Sequence, residues 1–248
     1  MVQIWQTSAT ERMFKETLVM LPGMMCDERL FAPQISVLEE DYHIMVPQLD
    51  SPNSIEGIAR RVLNEIEAPR FNLMGLSMGG IVAMSMVGLS PERVSRLALL
   101  DTNHKADAAG RYALRNRQID DVKVGRLRQV ISTEMKPIYL AKANRKNQAL
   151  LDLLISMALD LGDDVFIAQS IALRDRADQT EALRSYDGPA LLLCGLDDAL
   201  CPPHVHVEMA KELSHSVVCQ IEDAGHISTL EQSDAVTEAL QIWLKRPL

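Results

Sequence analysis

Residues 71–82 read Phe-Asn-Leu-Met-Gly-Leu-Ser-Met-Gly-Gly-Ile-Val, and no other stretch constrains the fold of this chain so tightly. An apolar run, Phe71–Met74, stops at Gly75; Ser77 follows, and Gly79 and Gly80 open a segment that reads as a helix. Gly-x-Ser-x-Gly between a strand and a helix describes a sharp turn in which the serine takes strained backbone angles. Side chains two residues to either side would collide there, and glycine removes their Cβ atoms. The turn lifts the Ser77 hydroxyl clear of the sheet, and the next helix points its unpaired N–H groups at the same spot. The pattern alone is a weak signal, whose plain alternative is a glycine-rich turn with an incidental serine. The flanking strand and helix favour a nucleophile.

A serine hydroxyl needs a base to take its proton and an acid to orient that base. For a turn of this type the chain order is serine, then Asp or Glu, then His. Downstream, Ala190–Cys194 is an apolar strand running into Gly195-Leu196-Asp197-Asp198, and Val217–Ile221 runs into Asp223-Ala224-Gly225-His226. Ser77, Asp197 or Asp198, and His226 therefore all follow the C-terminal ends of strands, where open α/β sheets place their active sites. Of the six histidines (43, 104, 204, 206, 215 and 226), His226 alone follows Ala-Gly directly after a strand. His204 and His206 are two apart at a helix start and point in different directions, whereas helical zinc pairs want a spacing of four. No metal site is read.

From about Leu18 to Trp243 the chain resembles the α/β-hydrolases. The matching pieces are Leu-Pro-Gly-Met (21–24), Gly-Leu-Ser-Met-Gly-Gly (75–80), Gly-Leu-Asp-Asp (195–198) and Asp-Ala-Gly-His (223–226). The serine motif is similar to that of small bacterial carboxylesterases and enol-lactonases. The resemblance implies an α/β-hydrolase fold, a mostly parallel central sheet flanked by helices, with a helical cap inserted after the sixth family strand. It implies a catalytic triad of Ser77, Asp198 and His226, because the family acid lies three residues after the glycine. Asp197 remains the alternative, as does Asp101, since some members carry the acid at the end of the strand corresponding to Arg96–Leu100. The oxyanion hole would use the backbone N–H groups of Met78 and of Met24, in the loop after Thr17–Leu21. Family members usually carry His-Gly in that loop, and this chain has Pro22-Gly23. Met24, Met25 and Cys26 are expected to form one wall of the substrate pocket, with ordinary loop packing as the alternative.

Strand and helix signals alternate through Thr17–Leu21, Glu28–Leu38, Tyr42–Val46, a helix capped within Ser51–Ser54, Phe71–Met74, Met78–Leu89 and Val94–Leu100. They resume with Ala190–Cys194, Pro203–Leu213, Val217–Ile221 and Ser233–Leu244. Val2–Trp5 is an edge-strand candidate. Between these halves lie helical segments at Ala109–Gln118, Val124–Ile131, Lys136–Ala143, Asn147–Leu161 and Asp164–Arg174, in a stretch too long for a loop. The expected organisation is a core of residues 1–102 and 187–248, with residues 103–186 as the cap of the same structural domain.

A chain of 248 residues with 47% hydrophobic content builds one full core. Its net charge of −9 argues against nucleic acid or an anionic membrane as partner. No apolar stretch reaches the roughly 18 residues of a membrane helix, and residues 1–16 lack a signal-peptide core. Four cysteines without a Cys-x-x-Cys fit a reduced, cytoplasmic protein. Against the acidic whole, residues 105–146 are rich in Arg and Lys, including Arg111, Arg115 and Arg117. That surplus either draws in an anionic substrate or is a solvated helix surface.

These features point to a serine hydrolase that cleaves a small carboxylic ester, lactone or thioester through an acyl-enzyme, without a cofactor. Two alternatives use the same residues. One is a lyase of the menaquinone-pathway type, which the basic segment would serve by holding carboxylates. The other is a ligand-binding protein on a hydrolase scaffold.

Overall fold

The computed structural model describes residues 15–248. The edge-strand reading of Val2–Trp5 lies outside the described residues. Six parallel strands form one sheet: β1 (Thr17–Leu21), β2 (His43–Met45), β3 (Phe71–Leu76), β4 (Val94–Leu100), β5 (Ala190–Gly195) and β6 (Ser216–Ile221). Their order is β2-β1-β3-β4-β5-β6. Every residue of β3, β4 and β5 is buried, the burial of strands covered on both faces, which explains their nearly unbroken apolar sequences.

The connections run outward in both directions from β1 and β3, so the strand order reverses between these two neighbours. Loops leaving their C-terminal ends part there and open a crevice. Register sharpens this. Leu21 aligns with Gly75, Leu76 with Leu100, and Gly195 with Ile221, so the strands finish nearly level.

Helices follow the strands in turn. α1 (Ala32–Leu38) comes after a short 3-10 turn, Glu28–Phe31, with Pro33 in the first helical turn, where its missing N–H is harmless. In α2 (Ile55–Glu65) the Ser54 hydroxyl caps the helix by accepting from the Gly57 amide at 3.2 Å. α3 (Met78–Leu89) is apolar all round and buried from Met78 to Val87, because it is enclosed by the sheet, α2 and a later helix.

Between β4 and β5 the chain is helical, but less regular than the sequence pattern suggests. α4 (Ala109–Lys123) runs longer than expected. The expected helices Val124–Ile131 and Lys136–Ala143 shrink to a single turn, α5 (Leu127–Gln129), followed by a π turn at Val130–Met135 and a 3-10 turn at Lys136–Ile138. Gly125 at φ 82° and Pro137 account for the interruptions. α6 spans Gln148–Arg174 and breaks at Gly162, whose φ of 83° with ψ of −178° is open only to glycine. The two helices read from sequence are its two arms. α7 (Thr180–Arg184), too short to leave a period, was not visible in the pattern. α8 (Pro203–Ala210), α9 (Ser228–Glu231) and α10 (Ser233–Leu244) complete the chain. α1 packs on α10, and α2 and α7 pack on α3. Among the described residues no helix is long and apolar enough to cross a membrane.

Candidate active site

Ser77 sits at φ 55° and ψ −115°, a left-handed conformation that a non-glycine residue avoids unless its surroundings impose it. The surroundings do so from both sides. A Cβ on Gly75 would run into the Gly79 carbonyl, and one on Gly79 into the Leu21 carbonyl, so both positions require glycine. The Ser77 amide donates to the Leu100 carbonyl at 2.9 Å, and Thr102 Oγ1 donates to the Ser77 carbonyl at 2.7 Å. The turn is thus tied to the end of β4, and its hydroxyl projects from the sheet.

The structure brings the three residues read from sequence together. His226 Nε2 lies 2.8 Å from Ser77 Oγ, and His226 Nδ1 lies 2.8 Å from Asp198 Oδ2. Asp198 follows β5, and its other oxygen accepts from the amides of Leu200 and Cys201 at 2.8 and 2.9 Å. Burial disfavours its charge, but His226 and these two amides outweigh burial and hold the carboxyl below its ordinary range. Burial likewise opposes a charged His226, yet the carboxylate of Asp198 outweighs it and raises the imidazole above its usual value. The ring is fixed further by its amide, which donates to the Tyr139 carbonyl at 2.7 Å, and by the Tyr139 ring in edge contact at 5.2 Å.

The two alternative acids stand elsewhere. Asp197 is exposed. Asp101 is fully buried and accepts from the Gly195 amide at 2.9 Å and from Ser228 Oγ at 2.5 Å, whereas the His226 ring nitrogens are taken by Asp198 and Ser77. Burial and the nearby Asp198 charge push its carboxyl up to about 8. It ties the loop that carries Asp198 to the one that carries His226.

The loop after β1 lies directly over Ser77. A Cβ added at Gly23 would come within 3.5 Å of the Ser77 Cβ. Met24, the next residue, lines the cavity in front of Ser77. The Met78 amide belongs to the first residue of α3 and has no carbonyl one turn behind it. Met25 and Cys26 depart from the expected pocket wall, because neither lines that cavity. Met25 adopts φ 54°, which turns its side chain into the core, and Cys26 borders a separate depression beside Asp27 and Leu49.

Sequence reasoning missed what holds this loop. The Met25 amide donates to Gln169 Oε1 at 2.8 Å, and Gln169 Nε2 donates to the Leu49 carbonyl at 3.0 Å. On the other side of the same residue, the buried Lys136 ammonium reaches the Met25 carbonyl at 3.5 Å and packs 4.8 Å from the centre of the Tyr139 ring. Glu231 performs the same service for the histidine loop, accepting from the amides of Gly225 at 2.8 Å and Ala141 at 2.7 Å. Buried His206 accepts the Thr102 amide at 3.1 Å, just past the end of β4. A lone polar residue in a helical stretch looks like surface in a sequence, so none of these carried a signal.

Ser77 and His226 open onto a cavity of about 100 Å³. The helical segment contributes Arg111, Arg115 and Arg176 to its lining. Arg115 Nε and Arg176 Nη1 both pair with the buried Asp107, at 2.5 and 3.0 Å. Arg117 turns outward to Glu134 and Asp121. Asp198, Cys201 and His226 bring potential metal-ligand atoms within 4.8 Å of one another, but both Asp198 oxygens and His226 Nδ1 are engaged in the hydrogen bonds above.

A family model described as alpha/beta hydrolase fold matches residues 50–233. The (E)-2-((N-methylformamido)methylene)succinate hydrolase of Acinetobacter baylyi is 24% identical over 258 residues, covering 93% of this chain and 90% of that protein. The dihydrolipoyllysine-residue acetyltransferase component of the acetoin cleaving system of Pseudomonas putida is 26% identical over 187 residues. That match takes in 75% of this chain and spans about half, 48%, of the relative's length. A malate-bound thermophilic esterase from Thermogutta terrifontis superposes with a TM-score of 0.85 at 26% identity, covering 93% of this chain and 91% of that one.

Proposed function

The chain belongs to the α/β-hydrolase fold family, and on that footing we propose that it is a serine hydrolase acting on small carboxylic esters. The observation that carries this reading is the hydrogen-bonded relay from Ser77 through His226 to Asp198, with both contacts at 2.8 Å. His226 takes the Ser77 proton as the oxygen attacks the ester carbonyl. Asp198 holds the imidazole tautomer and stabilises the imidazolium. The amides of Met24 and Met78 receive the charge that develops on the carbonyl oxygen. The alcohol leaves with the proton from His226, and water activated by the same base releases the acid from Ser77. The small cavity favours a short acyl group. The names of the Acinetobacter hydrolase and the Thermogutta esterase support the hydrolase class.

A fluorophosphonate probe tests the reading. It labels the protein once, at Ser77, and Ser77→Ala abolishes both labelling and turnover of short nitrophenyl esters, the latter by several orders of magnitude. Labelling that survives the substitution overturns the assignment. A wild type that takes the probe yet turns over no ester favours the lyase or binding-protein reading, to which the arginine-rich wall lends its only specific support.

A further inference from the structure

We infer that the substrate carries a free carboxylate and that Arg111, on α4, is the residue that receives it. This rests on the ester-hydrolase reading of the same site. Three guanidinium groups, those of Arg111, Arg115 and Arg176, line the cavity into which Ser77 opens. One carboxylate, Asp107, serves two of them. The cavity's own acid, Glu134, is engaged from outside by both terminal nitrogens of Arg117, at 2.5 and 3.1 Å, and by Gln118 at 3.1 Å. Among the described residues Arg111 has no ion pair and no side-chain hydrogen bond; it is half-buried and lines the same cavity as Ser77. Arg115 and Arg176, nine-tenths buried, are held in place by Asp107 and build the wall.

Three guanidiniums thus share one carboxylate, so the recess holds a surplus of positive charge, and Arg111 is the one left without a partner, in a place where water screens it less than on an open surface. The planar guanidinium fork matches a carboxylate with two parallel hydrogen bonds. A carboxylate gives Arg111 the partner it lacks. The rest of the molecule is acidic, with a net charge of −9, so the basic recess is a local feature and not a consequence of composition.

The test compares monoethyl succinate with ethyl isocaproate, an uncharged ester of the same shape, on the full chain. Wild type prefers the charged ester by roughly tenfold or more in kcat/KM, and the preference shrinks as salt rises. Arg111→Met lowers kcat/KM for the charged ester by about ten- to hundredfold, the range of one charge-assisted hydrogen-bond pair. The neutral ester stays within about threefold. Arg111→Lys recovers part of the loss, and Arg128→Met, an exposed cation of the same segment outside the cavity, recovers and loses nothing. Calorimetry with succinate reads the same contact without turnover, and its binding weakens in Arg111→Met. Equal loss on both esters, or unchanged succinate affinity in Arg111→Met, overturns the proposal. If succinate binding depends on Arg111 while Ser77 refuses the fluorophosphonate, the carboxylate site stands and the hydrolase reading falls.

Discussion

At the scale of single residues, Asp198 and Asp101 divide the work of two buried acids through their neighbours. Asp198 is held ionised by His226 and two backbone amides; at Asp101 burial and the Asp198 charge outweigh its own hydrogen bonds and push it up to about 8. The proposed relay therefore runs through Asp198. Asp198→Asn is expected to lower kcat on the order of 10³–10⁴-fold, by analogy with other triads. It also moves the acid limb of kcat/KM to lower pH, because His226 must be neutral to act as a base and Asp198 is what raises it. Asp197→Asn changes neither, and Asp101→Asn costs far less while keeping an acceptor for the Gly195 amide. Steady-state rates on a nitrophenyl ester across pH decide this. A severe Asp101→Asn and a mild Asp198→Asn would reverse the assignment. Ser77, Asp198 and His226 were legible in the sequence because each stands in a short motif at the end of an apolar strand. The two adjacent aspartates could not be separated by strand pattern alone. Only the family spacing chose between them, and in three dimensions the distinction is one of burial, Asp197 outside and Asp198 within.

At the scale of elements, the loop after β1 and the helical segment cannot be described separately. Met25 is gripped on its amide by Gln169 from α6 and on its carbonyl by Lys136 from the turn before it. Gln169 also reaches the loop after β2 through Leu49, so one side chain fixes two strand ends. Gln169→Leu leaves the Met25 amide and the Leu49 carbonyl buried without partners, at about 1–3 kcal/mol each. Relief comes from shifting the loop, and with it the neighbouring Met24 amide. The expected outcome is a fall of roughly ten- to hundredfold in kcat with KM little changed, below the loss seen when an oxyanion donor is removed outright. The rate of fluorophosphonate labelling falls in parallel. Gln169→Glu, which keeps the acceptor for Met25, retains more kcat than Gln169→Leu. A change confined to KM would show that Gln169 shapes the pocket and leaves the oxyanion loop alone. The strands and α1, α2 and α3 followed the sequence closely, since period, caps and Pro33 all agreed with the packing. The helical segment did not. Its turns from Leu127 to Ile138 are set by Gly125, Pro137 and the demand that Lys136 point inward, a tertiary demand that no local period records.

At the scale of the molecule, the sheet edge that gathers the loops also gathers buried ionisable groups, and this ties stability to pH. His206 on α8 is fully enclosed and accepts the Thr102 amide through Nε2. Burial is the main influence on it and holds its imidazole down to about 4; Asp198 pulls the other way and His226 adds a smaller push downward. In the folded protein the ring stays neutral to about that pH, whereas in the unfolded chain it takes a proton near 6.5. Between these values the unfolded state binds the extra proton, so stability falls as pH drops through 6.5 toward 4. The loss from this one group reaches up to about 3 kcal/mol at the bottom of the window, a large share of a typical folding free energy. His226 has the opposite sign. Its raised value stabilises the fold below its unfolded value, and that contribution is lost as pH rises through the folded one. The two histidines therefore oppose each other, and a wild-type melting curve alone cannot separate them. His206→Gln does, because the amide oxygen can still accept from Thr102 while the titrating group is gone. From pH 7.5 to 5, the melting temperature of His206→Gln is expected to decline less than that of wild type, with the curves diverging below about pH 6.5. Parallel curves would mean that the folded protein admits the proton at His206 as easily as the unfolded chain does. The position of His206 two residues after His204 gave no hint of this, since nothing in the sequence says which face of α8 meets the end of β4.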